Sequence, residues 1–516
     1  MIRAGQTAVV IGSGPVGAAS AWALATAGVH TTVLEAGPRP PADRFAVLQR
    51  AESGAPAWPS PRYAYESQGD DPSINRLTLR MLGGTSLTWG AVTPRFLPAD
   101  FRMQTLYGVA EDWPLTYEEL EPWYVRAERL LGVSGTVDNP WSPPRSAPYP
   151  MGPFAMSETD RLVQAAGAKV GVPFHHVPTA RNSIPYDGRP ACQSFATCRT
   201  CPIGGMYSAD QTMSRIERLP HVRVLTEAEA VRIETSRSDA VCRVLYLDAS
   251  DRTHAVEADV VVVATQAVEA VRLLLNSASG AFPQGLANRN GQLGRWFMDR
   301  PKFYVMGRVD QRLSPYRLGF ETATSLAMHD HPGRSEYSGG RILVRENAGP
   351  SPADVSARSG LWGQALREEI AELFGHWITL GCYLEPLPRE DNRVTLSTRL
   401  RGRAGLPAPR VDLRLMGPYV ERGYHELRRV MERILEAAGA HDVRVLVPPS
   451  ITGHYMGGHR MGSNPETSTI NSCLQAHDVP GLYLATAGAF PSGGISNPTL
   501  TTIALALRMA ASITGG

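Results

Sequence analysis

Near the C-terminal end of this 516-residue chain, "ITGHYMGGHRMGS" (451–463) sets His454 and His459 five residues apart around Gly457 and Gly458. A neutral imidazole, with a pKa of about 6.5, takes up a proton readily near pH 7 and can act as a general base. Two imidazoles could equally begin a metal site, or both could simply pack. A metal pair needs further ligands, and no carboxylate or cysteine close by in the sequence suggests them. The stretch alone leaves the three readings open.

A second chemical signal lies at the other end. In "TAVVIGSGPVGAASAWALATAGVHTTVLEAG" (7–37), Gly12, Gly14 and Gly17 follow the GxGxxG spacing. Gly12 permits a tight turn, Gly14 lets the backbone approach a pyrophosphate, and Gly17 lets a helix pack closely on the strand before it. The helix N-terminus then offers free N–H groups and its positive dipole end to the phosphates. Glu35 stands about 20 residues on, where a carboxylate takes a ribose hydroxyl. Strand, turn, helix and acid together indicate a dinucleotide site. They do not distinguish FAD from NAD, though the acid disfavours the extra phosphate of NADP.

The elements that must position these residues are partly visible. Ala8–Ile11 is a short β-branched run of the kind buried in a parallel sheet. Residues 221–248 alternate like antiparallel strands, and 258–278 read as another buried strand and helix. Residues 376–416 read as further strands, 417–440 as an amphipathic helix, and 310–360 as a loop-rich region. At 481–513 a strand, a small-residue loop and a long apolar helix follow one another. Asn497 and Pro498 there occupy the positions of an N-cap and a first helical residue. Such a helix could aim its free N–H groups at a flavin edge and stabilise the anion formed on reduction.

Composition bounds the rest. Hydrophobic residues make up 43% and charged residues 19%, with a net charge of +2, which describes a globular chain without the electrostatic footprint of a nucleic-acid binder. No period of 20–50 residues recurs, and no apolar run approaches a membrane span. A strand begins almost at once, leaving no room for a signal peptide, and six cysteines suit a reduced compartment. The expected location is the cytoplasm.

Five segments in order resemble the glucose–methanol–choline (GMC) flavoprotein oxidoreductases: "VIGSGPVGAASAWALATAG…VLEAG", "LGGTSLTWGAVTPRF" (82–96), "DWPLTYEELEPWYVRAERLLGVSG" (112–135), "ADVVVVATQAVEAVRLLLNSA" (258–278) and "HYMGGHRMG…LYLATAGAFPSGGISNPTLTTIALALRMA". Within that family the chain looks most similar to pyranose 2-oxidases and the bacterial glycoside 3-oxidases and dehydrogenases. The resemblance implies an α/β fold: a Rossmann-like FAD-binding domain (1–100, 190–300 and 445–516) interleaved with a substrate-binding domain (101–189 and 301–444) built on an antiparallel sheet. It implies non-covalent FAD lined by Gly83, Gly84, Thr85, Thr88, Trp89, Gly90, Ala230, Ala264, Ala487, Gly488, Asn497, Pro498 and Thr499, beside Gly12, Gly14, Gly17 and Glu35.

In the family, hydride passes to the flavin while a histidine takes the hydroxyl proton. That histidine aligns on His454 and its partner on Asn497, which orients the substrate. His459 falls on a structural histidine, with substrate contact as its lesser reading. A helix-capping role for Asn497 is the alternative, since a capping side chain would bond the backbone. Two departures matter. Thr88 replaces the histidine that pyranose oxidases join covalently to FAD, and Gly90 replaces their flavin-near threonine, which puts oxidase activity in doubt.

Cys192, Cys198 and Cys201 form C-x5-C-x2-C. They read as ordinary thiols, or as three ligands of a zinc completed by His175 or His176. They also resemble a stretch of bacterial FAD sugar dehydrogenases that holds a three-iron cluster, although there one spacing is longer and an extra cysteine is present. The function expected is oxidation of a secondary hydroxyl of a sugar or glycoside to a ketone, with electrons passing to O2 or another acceptor. The rivals are a same-fold enzyme acting on a sterol, an aliphatic alcohol or an aminoglycoside-type product, and a catalytically silent flavin-binding protein. A pocket lined by aromatic and aliphatic groups would favour the first rival, and hydrogen-bonding groups would favour a sugar.

Overall fold

Buried valines set the first sheet. In the computed structural model, which describes residues 5–52, 58, 60, 63–70, 74–194, 200–314, 318–345 and 349–515, the strand Thr7–Ile11 runs parallel to His30–Leu34 on one side and Val260–Val263 on the other. Leu482–Leu484 and Val222–Leu225 add parallel strands at the two edges. Val9, Val10, Val33, Val261, Val262 and Val263 are buried, as expected of parallel strands covered on both faces. The helix Pro15–Thr26 packs against the last helix, Pro498–Thr514. An antiparallel meander of Glu229–Thr235, Val241–Leu247 and Thr253–Glu257 lies beside the sheet. The alternation at 221–248 therefore has two outcomes. Its first part joins the parallel sheet, and only the rest is antiparallel.

A second sheet has six strands in the order His441–Ser450, Lys302–Arg308, Trp377–Leu384, Gly340–Arg345, Ala323–Ser325 and His175–His176, each antiparallel to its neighbour. Successive side chains of a strand point to opposite faces. One face presents Phe303, Val305, Ile342, Val344, Ile378, Leu380, Cys382 and Leu384 to the helix Pro418–Ala437. The register places Lys302, Tyr383 and Arg341 in one row of the other face, with Tyr304, Thr379, Arg345, Thr324 and His175 beside them. Residues 310–360, expected as loop-rich, supply two of these strands and the helix Pro352–Ser359. Their polar and apolar residues alternate over runs too short to stand out. The fold is thus α/β with a Rossmann-like domain and antiparallel sheets. Among the described residues, no helix is long and apolar enough to cross a membrane.

Candidate active site

The loops at the carboxyl ends of the parallel strands meet in one crevice, where open α/β sheets bind ligands. Gly12 adopts φ +101°, and a Cβ there would lie 2.8 Å from the carbonyl oxygen of Ala264. Gly17 abuts the carbonyl of Gly12, 2.0 Å from where its Cβ would be. Gly14 is different. It caps the first helix with no side-chain bond, and its Cβ would meet nothing within 4 Å. That open space over a helix N-terminus is the shape a pyrophosphate needs. Gly84 comes so close that its Cβ would stand 3.1 Å from the Gly14 Cα.

Ser13, which the motif reading passed over, ties the crevice together. Its hydroxyl donates to Glu35 Oε2 at 2.5 Å and accepts from the Gly83 N–H at 3.1 Å. Glu35 also accepts from the N–H groups of Ser13 and Gly37, and burial raises its pKa above the ordinary 4.5. The Gly84–Leu87 turn is pinned by Ser86, whose hydroxyl donates to the Gly83 carbonyl and accepts from the Ala209 N–H. Thr88 bonds Thr85, Trp89 Nε1 donates to the Tyr207 carbonyl, and Thr85 and Gly90 are exposed. Ala230 sits in the meander two residues after Ala228, whose N–H bonds the Glu35 carbonyl.

His454 and Asn497, 43 residues apart, come together. Asn497 Nδ2 donates to His454 Nε2 at 3.3 Å. Asn497 makes no capping bond to its helix, so the capping alternative does not describe it. Within the described residues its Oδ1 and the Nδ1 of His454 are buried without a partner. The imidazole packs edge-on to Tyr383, 5.7 Å between ring centres. Burial, and then the charges of Arg300, Arg341 and Lys302, hold its pKa well below 6.5. It is therefore a neutral ring, able to accept a proton.

His459 is buried elsewhere. Its Nε2 bonds Thr486 at 2.8 Å, and its ring fills the place a Cβ on Gly488 would need. Burial lowers its pKa to about 4. Thr486 also caps the short turn Ala487–Ala489, so His459 braces that turn. The substrate contact weighed for His459 finds no support in this arrangement.

Asp299 is the main residue that sequence reasoning missed. Its buried carboxylate accepts from the N–H groups of Arg300, Thr452, Gly453 and His454 and from the Thr452 hydroxyl, at 2.7–2.9 Å. It anchors the loop that presents the imidazole. Nothing local marks Asp299, because all its partners but the adjacent Arg300 lie more than 150 residues away. Lys302, Arg341 and Tyr383 were missed for a related reason, since only the strand register puts them in one row. Cys198 lies outside the described residues. Among those described, no group of three or more His, Cys, Asp or Glu could hold a metal, and the Cys201 sulfur accepts the Met206 N–H at 3.5 Å. The zinc completed by His175 or His176 is not formed among them.

The glycine cradle, the unfilled space over Gly14 and the uncapped N-terminus of the last helix fit a bound FAD. Gly12, Gly14 and Gly84 would lie along its phosphates and Asn497, Pro498 and Thr499 near its ring. Comparison with known proteins agrees. A family profile described as GMC oxidoreductase matches residues 388–506, and one described as NAD(P)-binding Rossmann-like domain matches 10–49. The chain is 31% identical to the fructose dehydrogenase large subunit of Gluconobacter japonicus, over 98% of this chain and 97% of that one. It is 30% identical to 2-methyl-1,2-propanediol dehydrogenase of Mycolicibacterium austroafricanum, over 98% and 94%. The crystal structure of pyridoxine 4-oxidase from Mesorbium loti superposes with a TM-score of 0.67 at 16% identity, covering 98% of this chain and 99% of that one.

Proposed function

Since the chain belongs to the GMC oxidoreductase family, acting on CH–OH donors, we propose that it oxidises a secondary hydroxyl of a sugar or glycoside to a ketone with non-covalently held FAD. The observation behind this reading is the roof over His454. The second sheet turns Tyr304, Arg341, Thr379 and Tyr383 toward the site side, with Met306 and Leu343 beside them, and most of its aliphatic residues away. Hydrogen-bonding groups suit a substrate dense in hydroxyls, and a sterol would need the opposite lining. The name of the fructose dehydrogenase relative points the same way.

Bound FAD supplies the hydride acceptor that the conversion of alcohol to ketone requires. The chain's own residues do the rest. With substrate bound, Asn497 Nδ2 turns from His454 Nε2 to the hydroxyl oxygen and orients it, which frees Nε2 to take the proton as the C–H bond breaks. An alcohol is too weak an acid to ionise at neutral pH, so the base must pull in the transition state. The paired geometry of His454 and Asn497 argues against a silent flavin-binding role. A second reading, a small aliphatic alcohol, draws on the name of the propanediol dehydrogenase relative. Electrons leave to O2 or another acceptor.

Anaerobic mixing with sugars, glycosides, sterols and simple alcohols, followed by air, tests the reading. Bleaching of the flavin by a sugar is expected. Rapid return of colour in air would identify an oxidase, and slow return a dehydrogenase. Bleaching by sterols or simple alcohols alone would overturn the substrate class. Thr88 offers no imidazole for a covalent link, so acid precipitation should leave all the flavin in the supernatant. A yellow pellet would contradict that.

A further inference from the structure

Three cations bear on His454, and two already have partners. Arg300 donates through Nη2 to the carbonyls of Gly493 and Gly494 at 2.8 and 3.2 Å. Arg341 pairs with Glu321 and donates to Thr324. The third is Lys302, one of only two lysines in the chain. Its ammonium makes no hydrogen bond or ion pair among the described residues. It is half-buried, on the site-facing side of the roof, in register with Tyr383, whose ring packs on His454. The acid whose charge acts on it, Asp299, has its oxygens engaged by five donors.

Arg345 strengthens the imbalance. It lies on the same face, its guanidinium 5.3 Å from the centre of the Tyr304 ring, and has no carboxylate partner among the described residues. Burial and the charge of Arg345 both push the pKa of Lys302 down. Covering such an ammonium with a neutral substrate would strip its water without supplying a counter-charge, which is costly in a closed site.

We propose that the substrate carries an anionic substituent, a carboxylate or a phosphate, which Lys302 meets while the hydroxyl is presented to His454. This rests on the sugar-oxidising reading and names the substrate class more closely. The anion would also offset the positive field on His454 and raise its basicity in the complex. Lysine suits this role as a compact charge that approaches one oxygen closely.

The test compares anaerobic flavin reduction in the holoenzyme by glucose with that by glucuronate and glucose 6-phosphate, and by galactose with that by galacturonate. A charge-assisted contact of this kind is worth about 10- to 100-fold in kred/KM, and the acidic partner of each pair should lead by that factor. Lys302→Met should remove the lead, mostly through KM, so that the acidic sugars lose about 10- to 100-fold more than the neutral ones. Lys302→Arg should restore part of it. Preference for the uronates would assign a carboxylate, and preference for the phosphate a phosphate. With the acidic substrate, the acid limb of kred should lie at higher pH than that of kred/KM. Equal rates for neutral and acidic sugars, or a Lys302→Met loss common to both, would overturn this inference and leave the sugar reading intact. Reduction by simple alcohols alone would overturn both.

Discussion

At the scale of single residues, the question is how an imidazole stays neutral and directed. Asn497 holds the lone-pair side of His454 Nε2, and burial among cations keeps its pKa well below 6.5. A base works only while deprotonated, so lowering its pKa widens the working range toward acid. For a neutral substrate, kred/KM should stay level from pH 8 to below 6.5 and decline only at lower pH. A limb centred at 6.5 or above in stopped-flow measurements would contradict the assignment. His454→Ala should slow flavin reduction by about 10²- to 10⁴-fold while FAD remains bound, and unchanged reduction would remove His454 from the role. This pair was legible in the sequence through the resemblance and not through its own spacing. Forty-three residues of separation say nothing about a 3.3 Å contact.

At the scale of elements, two loops carry the site and each rests on one structural choice. The first loop needs three glycines for three reasons, and substitution separates them. Gly17→Ala should fail to fold, because its methyl would strike the Gly12 carbonyl. Gly14→Leu meets no protein atom at Cβ, so it should fold and lose FAD. A yellow Gly14→Leu protein would show that the space over Gly14 is not the phosphate cradle. The second loop hangs from Asp299. In Asp299→Asn an NH2 group must face N–H donors that now find a carboxylate, a loss of about 1–3 kcal/mol. Flavin reduction should slow with FAD retained, and a normal rate would sever Asp299 from the positioning of His454. The glycine loop could be read directly because its motif, from Gly12 to Glu35, lies within thirty residues, although Ala264 and Gly84 also pack on it. The role of Asp299 could not, and neither could the roof strands at 323–325 and 340–345, whose meaning comes from distant neighbours.

At the scale of the molecule, the parallel sheet is assembled from residues 7–34, 222–263 and 482–484, so the cofactor site is complete only when both ends of the chain have met. A ligand that binds only the folded form stabilises it by mass action. FAD at about 100 times its Kd should add roughly 2.7 kcal/mol, seen as a rise in Tm over the apoprotein. Gly14→Leu should show no such rise. The six-stranded sheet has a further consequence, which follows from its alternation. One face packs its aliphatic residues on a helix and the other turns Lys302, Arg341 and Tyr383 toward His454, and adjacent residues of one strand, such as Lys302 and Phe303, belong to different faces. Selection can therefore rewrite what the enzyme accepts one position at a time, without touching the packing that keeps the sheet in place. In this lineage, new specificities should arise by substitution on alternate roof positions, with the base, its partner and the cofactor loop inherited unchanged.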